Sequence, residues 1–389
     1  MKRVDVAVVG VGAMGSAALW RLAARGATVM GFDRFAPPHD RGSSHGESRI
    51  IRTAYFEGPG YVPLLRRAFE LWRQLERESG TSILTMTGAL MIGRPESAVI
   101  AGTLESVRAH GLAHEVLDRD AMAARYPQHR LDADELGIYE ADAGLLRPER
   151  GVAAAIARAE SLGATVRRDT PVAAIDVVGS DEVRVTAGDE VYVARHVVVS
   201  AGSWLGDLLP QVRTPLRVER QTPAWFPVHQ PALYGPERFP VFVRALRVGD
   251  GEGDDRHRYG FPTLDGATAK VAIHHEGVTT RADALDRTVY AEDLAPLCAF
   301  VRDHMCGLAP EAARAEVCMY TNTPDEHFVI GPAPALPALT LLGGFSGHGY
   351  KFMPVVGDIA ADLALLGRTR YPIDLFAPDR FAHAPIGPQ

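Results

Sequence analysis

Three glycines near the N-terminus are the first residues whose spacing predicts chemistry. Gly10, Gly12 and Gly15 have the G-x-G-x-x-G pattern and follow a stretch from Val4 to Val9 that is dominated by Val and Ala. Gly10 permits a tight strand-to-helix turn, Gly12 lets the backbone approach a pyrophosphate, and Gly15 lets helix and strand pack closely. The start of the following helix then offers unpaired N–H groups and the positive end of its dipole to a phosphate.

An acidic residue completes this pattern. Asp33 lies 18 residues after Gly15, at the end of a second predicted strand, 28–32. A carboxylate there accepts a hydrogen bond from a ribose 2′-hydroxyl. Because strand, helix, second strand and terminal acid agree, we predict a dinucleotide site rather than a glycine turn in an ordinary βαβ unit. The pattern leaves the identity of the dinucleotide open and argues only against a 2′-phosphate.

A Gly-, Ser- and His-rich segment, 35–61, comes next. It has no clear periodicity and is too long for an idle connection, which indicates a functional loop. Its candidate contributors are His45, Arg49 and Arg52. Two arginines three residues apart would share a face if the segment were helical, and they would suit a carboxylate or phosphate. Taken alone, each arginine is more often a surface residue than a ligand.

The composition limits the classes of partner. The chain has 389 residues, of which 47% are hydrophobic and 23% charged, as in ordinary globular proteins of one or two domains. A net charge of −7 gives no electrostatic reason to expect binding to nucleic acid or to an anionic membrane. The apolar run 6–20 is too short for a membrane span and contains the three glycines, so it is not read as a signal peptide.

The cysteines argue against a metal site. Cys298, Cys306 and Cys318 have no C-x-x-C spacing, so neither a zinc site nor a redox dithiol is predicted. An odd, small number of cysteines fits a reducing compartment, and we predict a cytoplasmic protein. By pattern alone, each cysteine is a small buried hydrophobe.

Periodicity predicts the elements that position these residues. Helices are predicted over 63–79, 95–109, 119–126, 148–162, 281–305 and 347–366. A meander of strands is predicted over 165–168, 172–178, 182–186 and 191–193, followed by a separate buried strand, 197–200. The other predicted strands are 87–93, 113–117, 218–227, 241–248, 258–261, 270–275, 316–320 and 340–343, with a solvated hairpin tip at 250–255. The tail after Tyr371 is expected to pack loosely.

Four stretches together resemble one family. They are the N-terminal glycine pattern, RGSSHGESRIIRTAY, AEVCMYTNTPDEHFVIG and GGFSGHGYKFMP. In this order and spacing they resemble the monomeric sarcosine oxidase and N-methyltryptophan oxidase family, across essentially the whole chain. The resemblance implies a mixed α/β (α+β) fold, in which a Rossmann-type FAD-binding domain and an antiparallel-sheet substrate domain are both discontinuous in sequence. We assign residues 1–85, 150–214 and 317–389 to the first and 86–149 and 215–316 to the second, in a monomer.

The resemblance also implies how the cofactor is held. Cys318 matches the family's attachment position, which implies a thioether to the flavin ring. Arg49 and His45 match residues close to that ring, where a cation favours the reduced, anionic flavin. The full set of implied cofactor contacts is Gly10, Gly12, Gly15, Asp33, Ser44, Cys318, Gly347, His348, Gly349 and Lys351. His348 is as readily explained by a structural role as by a catalytic one.

Lys270 matches the family lysine that promotes the reaction with oxygen. A fixed ammonium stabilises superoxide forming beside the reduced flavin, most strongly where water is excluded. His274 lies four residues further along the strand, on the same face, and matches an active-site histidine. The adjacent His275 is expected to face the other way.

Arg52 and Lys351 match the pair that binds the substrate carboxylate, and so select an amino or imino acid over a plain amine. Tyr259 and Tyr320 match aromatic residues that line the substrate pocket. The implied reaction takes a hydride equivalent from the carbon next to nitrogen of a small secondary amino acid to flavin N5. Oxygen then accepts the electrons as hydrogen peroxide, and no proton-abstracting base is needed.

Two alternatives stay open. A dehydrogenase of the same fold would use another electron acceptor, against which Lys270 argues. A non-catalytic flavin-binding protein would be expected to lose the carboxylate pair, yet Arg52 and Lys351 are both present.

The sequence departs from the family around the substrate side chain. The segment 243–258 is longer and more charged than the family hairpin, and Ser44 replaces a second histidine beside His45. A polar or larger N-methyl amino acid, or a cyclic imino acid, is therefore as well supported as sarcosine. Arg244 would suit an acidic substrate group, although a solvent-facing position is the favoured expectation.

Overall fold

The computed structural model describes residues 2–179, 181–212, 214–247 and 255–381. The strands in chain order are β1 Lys2–Val9, β2 Val29–Phe32, β3 Arg49–Ile51, β4 Leu84–Met86, β5 Ala89–Gly93, β6 Glu115–Leu117, β7 Leu136–Glu140, β8 Gly144–Leu146, β9 Thr165–Arg167, β10 Val172–Gly179, β11 Glu182–Ala187, β12 Glu190–Val199, β13 Arg217–Gln221, β14 Ala224–Pro227, β15 Val241–Arg247, β16 Asp255–Gly260, β17 Thr268–His274, β18 Thr279–Thr280, β19 Arg314–Ala315, β20 Cys318–Asn322, β21 Val329–Ala333 and β22 Leu336–Gly343. The α-helices are α1 Ala13–Ala24, α2 Val62–Ser79, α3 Ala98–His110, α4 Arg119–Arg125, α5 Pro148–Ser161, α6 Leu205–Leu208, α7 Pro231–Tyr234, α8 Ala291–His304 and α9 Met353–Leu366.

The first large sheet positions the glycine pattern. Its centre is parallel: β1 pairs with β2 and β12, β9 continues from β2, and β22 pairs with the end of β12. Strands β10 and β11 extend β12 in antiparallel fashion, and β21 adds to β22. Helices α1, α2, α5 and α9 pack together in one apolar core on this sheet. Since β1 and β12 are parallel neighbours, their carboxyl ends meet beside the Gly10 turn.

The second large sheet has the order β19-β14-β17-β16-β15-β5-β7-β6 and is antiparallel except where β5 meets β15. Apolar side chains cover both of its faces, in two separate clusters. Two small sheets, β18-β13-β20 and β3-β8-β4, join segments that are distant in sequence. They place Cys318, at the start of β20, and Arg49, at the start of β3, between the two large sheets.

The fold class is confirmed, and several elements are corrected. The helices 63–79 and 148–162 correspond closely to α2 and α5, whereas the helix 281–305 begins only at Ala291. The last helix begins at Met353, after a 3₁₀ turn at Tyr350–Phe352, and not at Gly347. The strands of the first sheet all come from 1–85, 150–214 and 317–389, and those of the second from 86–149 and 215–316, but the domain boundaries themselves stay a prediction.

The strand predictions were wrong in three places. Strand β9 is not part of the meander but is the edge strand that pairs with β2 in parallel. The predicted strands 191–193 and 197–200 belong to one strand, β12. The stretch 218–227 forms two strands, β13 and β14, in different sheets. In the tail, Phe376 and Pro378 are buried, so its described part packs against the body. The predicted hairpin tip falls largely on 248–254, outside the described residues.

Candidate active site

A cavity of about 570 Å³ lies at the carboxyl ends of β1, β2 and β12. Its lining includes Gly10, Gly12, Asp33, Ser44 and, further along, Arg49, Tyr320, Gly347 and Gly349. This volume is within the usual range of cofactor and ligand sites. The cavity therefore joins the predicted dinucleotide contacts to the predicted reaction centre.

The backbone at the glycine pattern is built for close approach. A side chain at Gly15 would place its Cβ 1.8 Å from the Gly10 carbonyl oxygen, so this helix can pack here only with glycine. At Gly12, a Cβ would meet only Ser44 Oγ, at 3.9 Å, and would project into the cavity. Asp33 Oδ2 accepts a hydrogen bond from Val11 N at 2.7 Å, which ties the second strand to the turn. The residues present thus fit a pyrophosphate and ribose.

A smaller cavity of about 80 Å³ adjoins the first, and Arg49, Tyr320, Gly347 and Tyr350 line both. Most of the residues predicted for catalysis and substrate binding meet here. The lining includes Arg49, Arg52, Tyr259, Lys270, His274, Cys318, Tyr320, His348 and Lys351. The rest of the wall is largely apolar or aromatic and includes Ile50, Phe56, Val243 and Phe261.

Arg52 and Lys351 lie on one side of this smaller cavity, with an acidic residue that the sequence did not single out. Arg52 donates to Glu57 Oε2 at 2.6 Å and to the Ala54 carbonyl oxygen at 2.7 Å. Burial alone would raise the pKa of Glu57, but the charges of Arg52 and Lys351 contribute to lowering it. Glu57 therefore stays ionised and neutralises part of the positive charge of Arg52 and Lys351.

Tyr55 connects the two cations. The Arg52 guanidinium lies 4.4 Å from the centre of the Tyr55 ring, and Lys351 Nζ donates to Tyr55 Oη at 3.2 Å. His348 Nε2 is 3.0 Å from the Glu326 carbonyl oxygen and must donate there, so His348 Nδ1 accepts from Tyr55 Oη at 2.6 Å. Both ring nitrogens of His348 are thus engaged in structural bonds. Burial lowers the pKa of His348 to about 3.

Glu140 supports the same loop from the second large sheet. Its carboxyl group accepts from Thr53 N at 2.9 Å and from Ala54 N at 3.0 Å. Thr53 and Ala54 directly follow Arg52, and their buried backbone N–H groups would otherwise have no hydrogen-bond partner. Burial raises the pKa of Glu140 to about 7.

Lys270 lies on β17, on the side of the smaller cavity nearer to Cys318. Its ammonium donates to Gly46 O at 2.7 Å, Ser48 O at 3.0 Å and Ser48 Oγ at 3.3 Å. The rings of Phe261 and Trp225 lie 4.8 and 5.5 Å from Nζ. Burial, together with the charge of Arg49, lowers the pKa of Lys270 to about 7.

Tyr259, Tyr320 and His274 form a short chain of polar contacts. Tyr320 Oη is 3.3 Å from both Tyr259 Oη and His274 Nδ1. The prediction that His275 faces the other way is wrong: strand β17 ends at His274, and His275 has a φ of 60°. Its ring therefore turns back, 4.0 Å from that of His274 and 5.5 Å from that of Tyr320. Burial lowers the pKa of His274 well below its ordinary value, so this ring is neutral.

Cys318 is 6% exposed and unpaired, and burial raises the pKa of its thiol. Two residues earlier, Glu316 Oε2 lies 3.6 Å from His45 Nδ1, and His45 Nε2 is buried without a hydrogen-bond partner. Arg49 lies on a strand and not on a helix, and its guanidinium donates to the carbonyl oxygens of Ser43, His45 and Ser48. It holds the loop that carries Ser44 and His45 against the cavities.

Arg244 is not where the sequence led us to expect it. It is fully buried in the second sheet and makes two hydrogen bonds with Glu135, through Nε at 3.0 Å and Nη2 at 2.5 Å. It neither faces solvent nor lines the smaller cavity; its neighbour Val243, on the opposite face of β15, does line it. A buried arginine in a strand requires a partner from elsewhere, and the sequence does not show that partner.

Several site residues escaped sequence reasoning: Glu57, Tyr55, Glu140 and the residues around Lys270. One signal was available, because Lys2, Lys270 and Lys351 are the only lysines in a chain with 41 Lys and Arg together. Lys270 and Lys351 are buried on the same cavity, whereas Lys2 is exposed. In a chain that uses arginine almost everywhere, a lysine marks a position where a titratable amine serves better than a guanidinium.

Two negative findings concern the described residues. They contain no group of three or more His, Cys, Asp or Glu side chains arranged to hold a metal ion. None of their helices combines the length and apolarity needed to cross a membrane.

Comparisons with known proteins agree with this geometry. A family described as FAD dependent oxidoreductase matches residues 5–363. A Streptomyces avermitilis protein named monomeric sarcosine oxidase is 44% identical, over 98% of both chains. An N-methyl-L-tryptophan oxidase of Escherichia coli O81 is 34% identical and covers 97% of this chain and 99% of its own. The solved structure of NikD, described as an unusual amino acid oxidase essential for nikkomycin biosynthesis, superposes with a TM-score of 0.85 at 26% identity, over 97% of this chain and 98% of its own.

Proposed function

Because the chain belongs to the FAD-dependent oxidoreductase family, and within it groups with the sarcosine and N-methyltryptophan oxidases, we propose that it oxidises a small secondary amino acid and reduces O₂ to H₂O₂. One observation carries the proposal: two neighbouring buried cations, Arg52 and Lys351, and a separate buried amine, Lys270, line one cavity that adjoins the first, larger one. Such a pair serves an amino acid, and a separate ammonium serves the oxygen step.

FAD, when bound, supplies the acceptor for two electrons from the amine and their donor to oxygen. The Gly10–Gly15 turn and Asp33 would hold its pyrophosphate and ribose. Ser44, Arg49 and the Gly347–Gly349 turn would lie along the remainder. Gly347 has a φ of 75°, and a Cβ there would come 2.4 Å from the Tyr320 ring, so only glycine lets Tyr320 close the boundary between the cavities.

Arg52 and Lys351 bind and orient the substrate. Since Arg52 is already paired with Glu57, a substrate carboxylate has to share or replace that partner. The cost of separating the pair is offset only by a ligand that also carries a negative charge, which favours amino acids over plain amines. The smaller cavity has about 80 Å³, against about 570 Å³ for the cofactor cavity, so a compact amino acid fits it better than one with a large side chain.

The surroundings disfavour a protonated amine. Four cationic side chains, those of Arg49, Arg52, Lys270 and Lys351, surround the cavity and outnumber the one ionised carboxylate, that of Glu57, while His274 is neutral. A substrate nitrogen between them is therefore held in its unprotonated form, which is the form that can be oxidised. Lys270 then stabilises negative charge as oxygen is reduced.

We also propose that Cys318 would be joined to the flavin ring by a thioether. The S–H bond and one C–H bond of the flavin would be lost as the C–S bond forms, and the two electrons released would pass to the flavin itself and then to oxygen. Cys318 lies on the smaller cavity, beside the residues that line both cavities, and its burial protects a thiol from other reactions. Acid precipitation of the wild-type protein should leave yellow colour in the pellet, whereas Cys318→Ser should release it to the supernatant. Colour in the supernatant of the wild type would contradict the linkage and leave the oxidase proposal standing.

A peroxide-release screen tests the proposed function. The panel contains sarcosine, other N-methyl amino acids, proline, pipecolate and the matching amines without a carboxylate. We expect peroxide from compact N-methyl or cyclic amino acids and none from the plain amines. Reduction of the flavin without peroxide in air would instead identify a dehydrogenase, and no reduction by any member would identify a non-catalytic flavin-binding protein.

The odd, small number of cysteines, all unpaired in the structure, supports the further proposal of a reducing compartment such as the cytoplasm. We also propose a monomer, which light scattering of the purified protein would test.

A further inference from the structure

Residues 46–48 form a strained turn beside Lys270. Glu47 has a φ of 68° and Gly46 one of 90°. Ser48 N donates to the Gly46 carbonyl oxygen at 2.8 Å, across Glu47. A positive φ with a hydrogen bond between residues two apart defines the rare form of γ-turn, which costs free energy for any residue except glycine. Such strain persists only where the surroundings enforce it.

This turn provides the acceptors of the Lys270 ammonium. The two carbonyl groups that flank Glu47, those of Gly46 and Ser48, accept from Nζ at 2.7 and 3.0 Å, and Ser48 Oγ lies at 3.3 Å. Because an ammonium has three N–H donors, these three acceptors fix its position fully. An unstrained backbone at Glu47 would rotate the flanking carbonyl groups and move the ammonium.

The side chain of Glu47 is held on both carboxylate oxygens. Arg314 Nη2 donates to Oε1 at 2.6 Å and Trp225 Nε1 to Oε2 at 3.1 Å, while Glu47 N donates to Glu149 Oε1 at 3.0 Å. Trp225 lies opposite Lys270 in the pairing of β14 with β17, and opposite Arg314 in the pairing of β14 with β19. The Arg314 guanidinium lies 3.8 Å from the Trp225 ring centre. Arg314, Trp225 and Lys270 thus lie side by side on β19, β14 and β17, and the first two bind the side chain of Glu47.

We infer that Glu47 is a positioning residue for Lys270: by enforcing the γ-turn it fixes the ammonium and so sets the rate at which the reduced enzyme reacts with oxygen. The inference rests on the proposed oxygen role of Lys270. It does not extend to the carboxylate side of the cavity, because none of the groups that hold Glu47 contacts Arg52 or Lys351.

Three variants separate the anchor from the strain. Glu47→Ala loses both carboxylate anchors and keeps the strain, Glu47→Gly loses the anchors and relieves the strain, and Glu47→Gln keeps an acceptor and a nearly equal shape. By stopped flow, Glu47→Ala should slow reoxidation about tenfold or more with flavin reduction within about twofold of wild type. Glu47→Gly and Glu47→Gln should be slowed less. Reoxidation of Glu47→Ala within about twofold of wild type, or an equal loss in both half-reactions, would overturn the inference.

A second measurement does not depend on activity. Since the chain has three lysines, acetylation of the native holoenzyme with peptide mass spectrometry reports each one separately. In Glu47→Ala, labelling of Lys270 relative to exposed Lys2 should change by about threefold or more, while Lys351 should not change. An unchanged Lys270 ratio contradicts the inference.

Ala335→Gly is the matched control. Ala335 also has a positive φ, of 60°, in the exposed turn between β21 and β22. Its replacement relieves strain far from the site, and neither reoxidation nor Lys270 labelling should change. If wild-type enzyme is not reduced by any amino acid, the proposed function fails, yet the labelling ratios still decide whether Glu47 positions Lys270.

Discussion

Two buried lysines line one cavity and differ in the charged groups beside them. Lys351 Nζ donates to the His348 carbonyl oxygen at 2.7 Å and to Tyr55 Oη at 3.2 Å. The Arg52–Glu57 ion pair lies close to it, and Glu57 partly offsets the fall that burial causes in the pKa of Lys351.

Lys270 donates to the Gly46 and Ser48 carbonyl oxygens and lies over two aromatic rings, and the nearby charge of Arg49 adds to the fall that burial causes in its pKa. No described carboxylate lies within ion-pair distance of either ammonium. Burial nevertheless lowers the pKa of each to about 7.

The difference separates two uses of the same side chain. A cation with an exchangeable anionic neighbour is suited to a stable charge that arrives with the substrate. A cation held by neutral backbone dipoles can stabilise an anion that exists only briefly during the reaction. No bound counterion has to be displaced before it does so. We therefore expect the two lysines to control different half-reactions.

Lys270→Met should have the largest effect. Removing a preoriented ammonium from a buried site should slow reoxidation by about 10²–10³-fold, by analogy with loss of a transition-state donor. Flavin reduction by the amino acid should change much less, and stopped-flow traces of the two half-reactions measure this. Equal slowing of both would remove the separation between the two lysines.

Lys351→Met is the reciprocal experiment. Loss of a charged partner for the carboxylate should raise KM for the amino acid about 10–100-fold, with reoxidation near the wild-type rate. Steady-state kinetics at saturating oxygen measure KM, and the photoreduced enzyme gives the reoxidation rate without substrate. A variant slow in reoxidation, with KM unchanged, would show that the roles are reversed.

The pH dependence of carboxylate binding comes next. Burial lowers the pKa of Lys351 to about 7, so the free enzyme loses this positive charge as the pH rises through 7. Propionate has no amine that titrates. Its binding should therefore weaken as the pH rises, so that its Ki increases up to about tenfold per pH unit above 7. Lys351→Arg, whose guanidinium stays charged, should flatten the profile; a flat wild-type profile would contradict the assignment.

Tyr55→Phe should have the smallest effect. The ring that stacks on Arg52 stays, and only the hydroxyl bonds to Lys351 and His348 are lost. A rise in KM of about 3–10-fold, with unchanged reoxidation, is expected for the loss of one such bond. An effect as large as that of Lys351→Met would mean that the Tyr55 hydroxyl, and not the His348 carbonyl group, holds the amine in place.

Long periodic elements were predictable, and short ones were not. Helices such as α2 show their buried stripe directly in the sequence. The sheet β3-β8-β4 consists of three-residue strands, which are too short for any period to show. Strand β12 was divided in two because its outer half pairs with β11 and its inner half with β22, so its burial pattern changes midway.

The residues of the site likewise divide into those that the sequence predicted and those that it did not. Residues in sequence motifs, such as Cys318 and Lys351, were found through the family resemblance, and the structure brings them to one cavity. Glu57 and Glu47 were missed because nothing in the local sequence distinguishes an acidic residue that pairs with a buried or distant cation from one that is exposed in a loop. Arg244 was misplaced for a related reason: its partner Glu135 is 109 residues away, so burial could not be predicted.

The scarcity of lysine has a practical consequence for attaching the protein to a surface. Lys2 lies at the start of β1, and the Gly10 turn lies just past the other end of this eight-residue strand, about 25 Å away. Because the other two lysines are buried, amine coupling of the folded protein will be directed to the amino-terminal end of one strand. An electrode or resin prepared in this way would carry molecules in a nearly uniform orientation, each anchored at the amino end of the central strand β1, opposite its cofactor cavity.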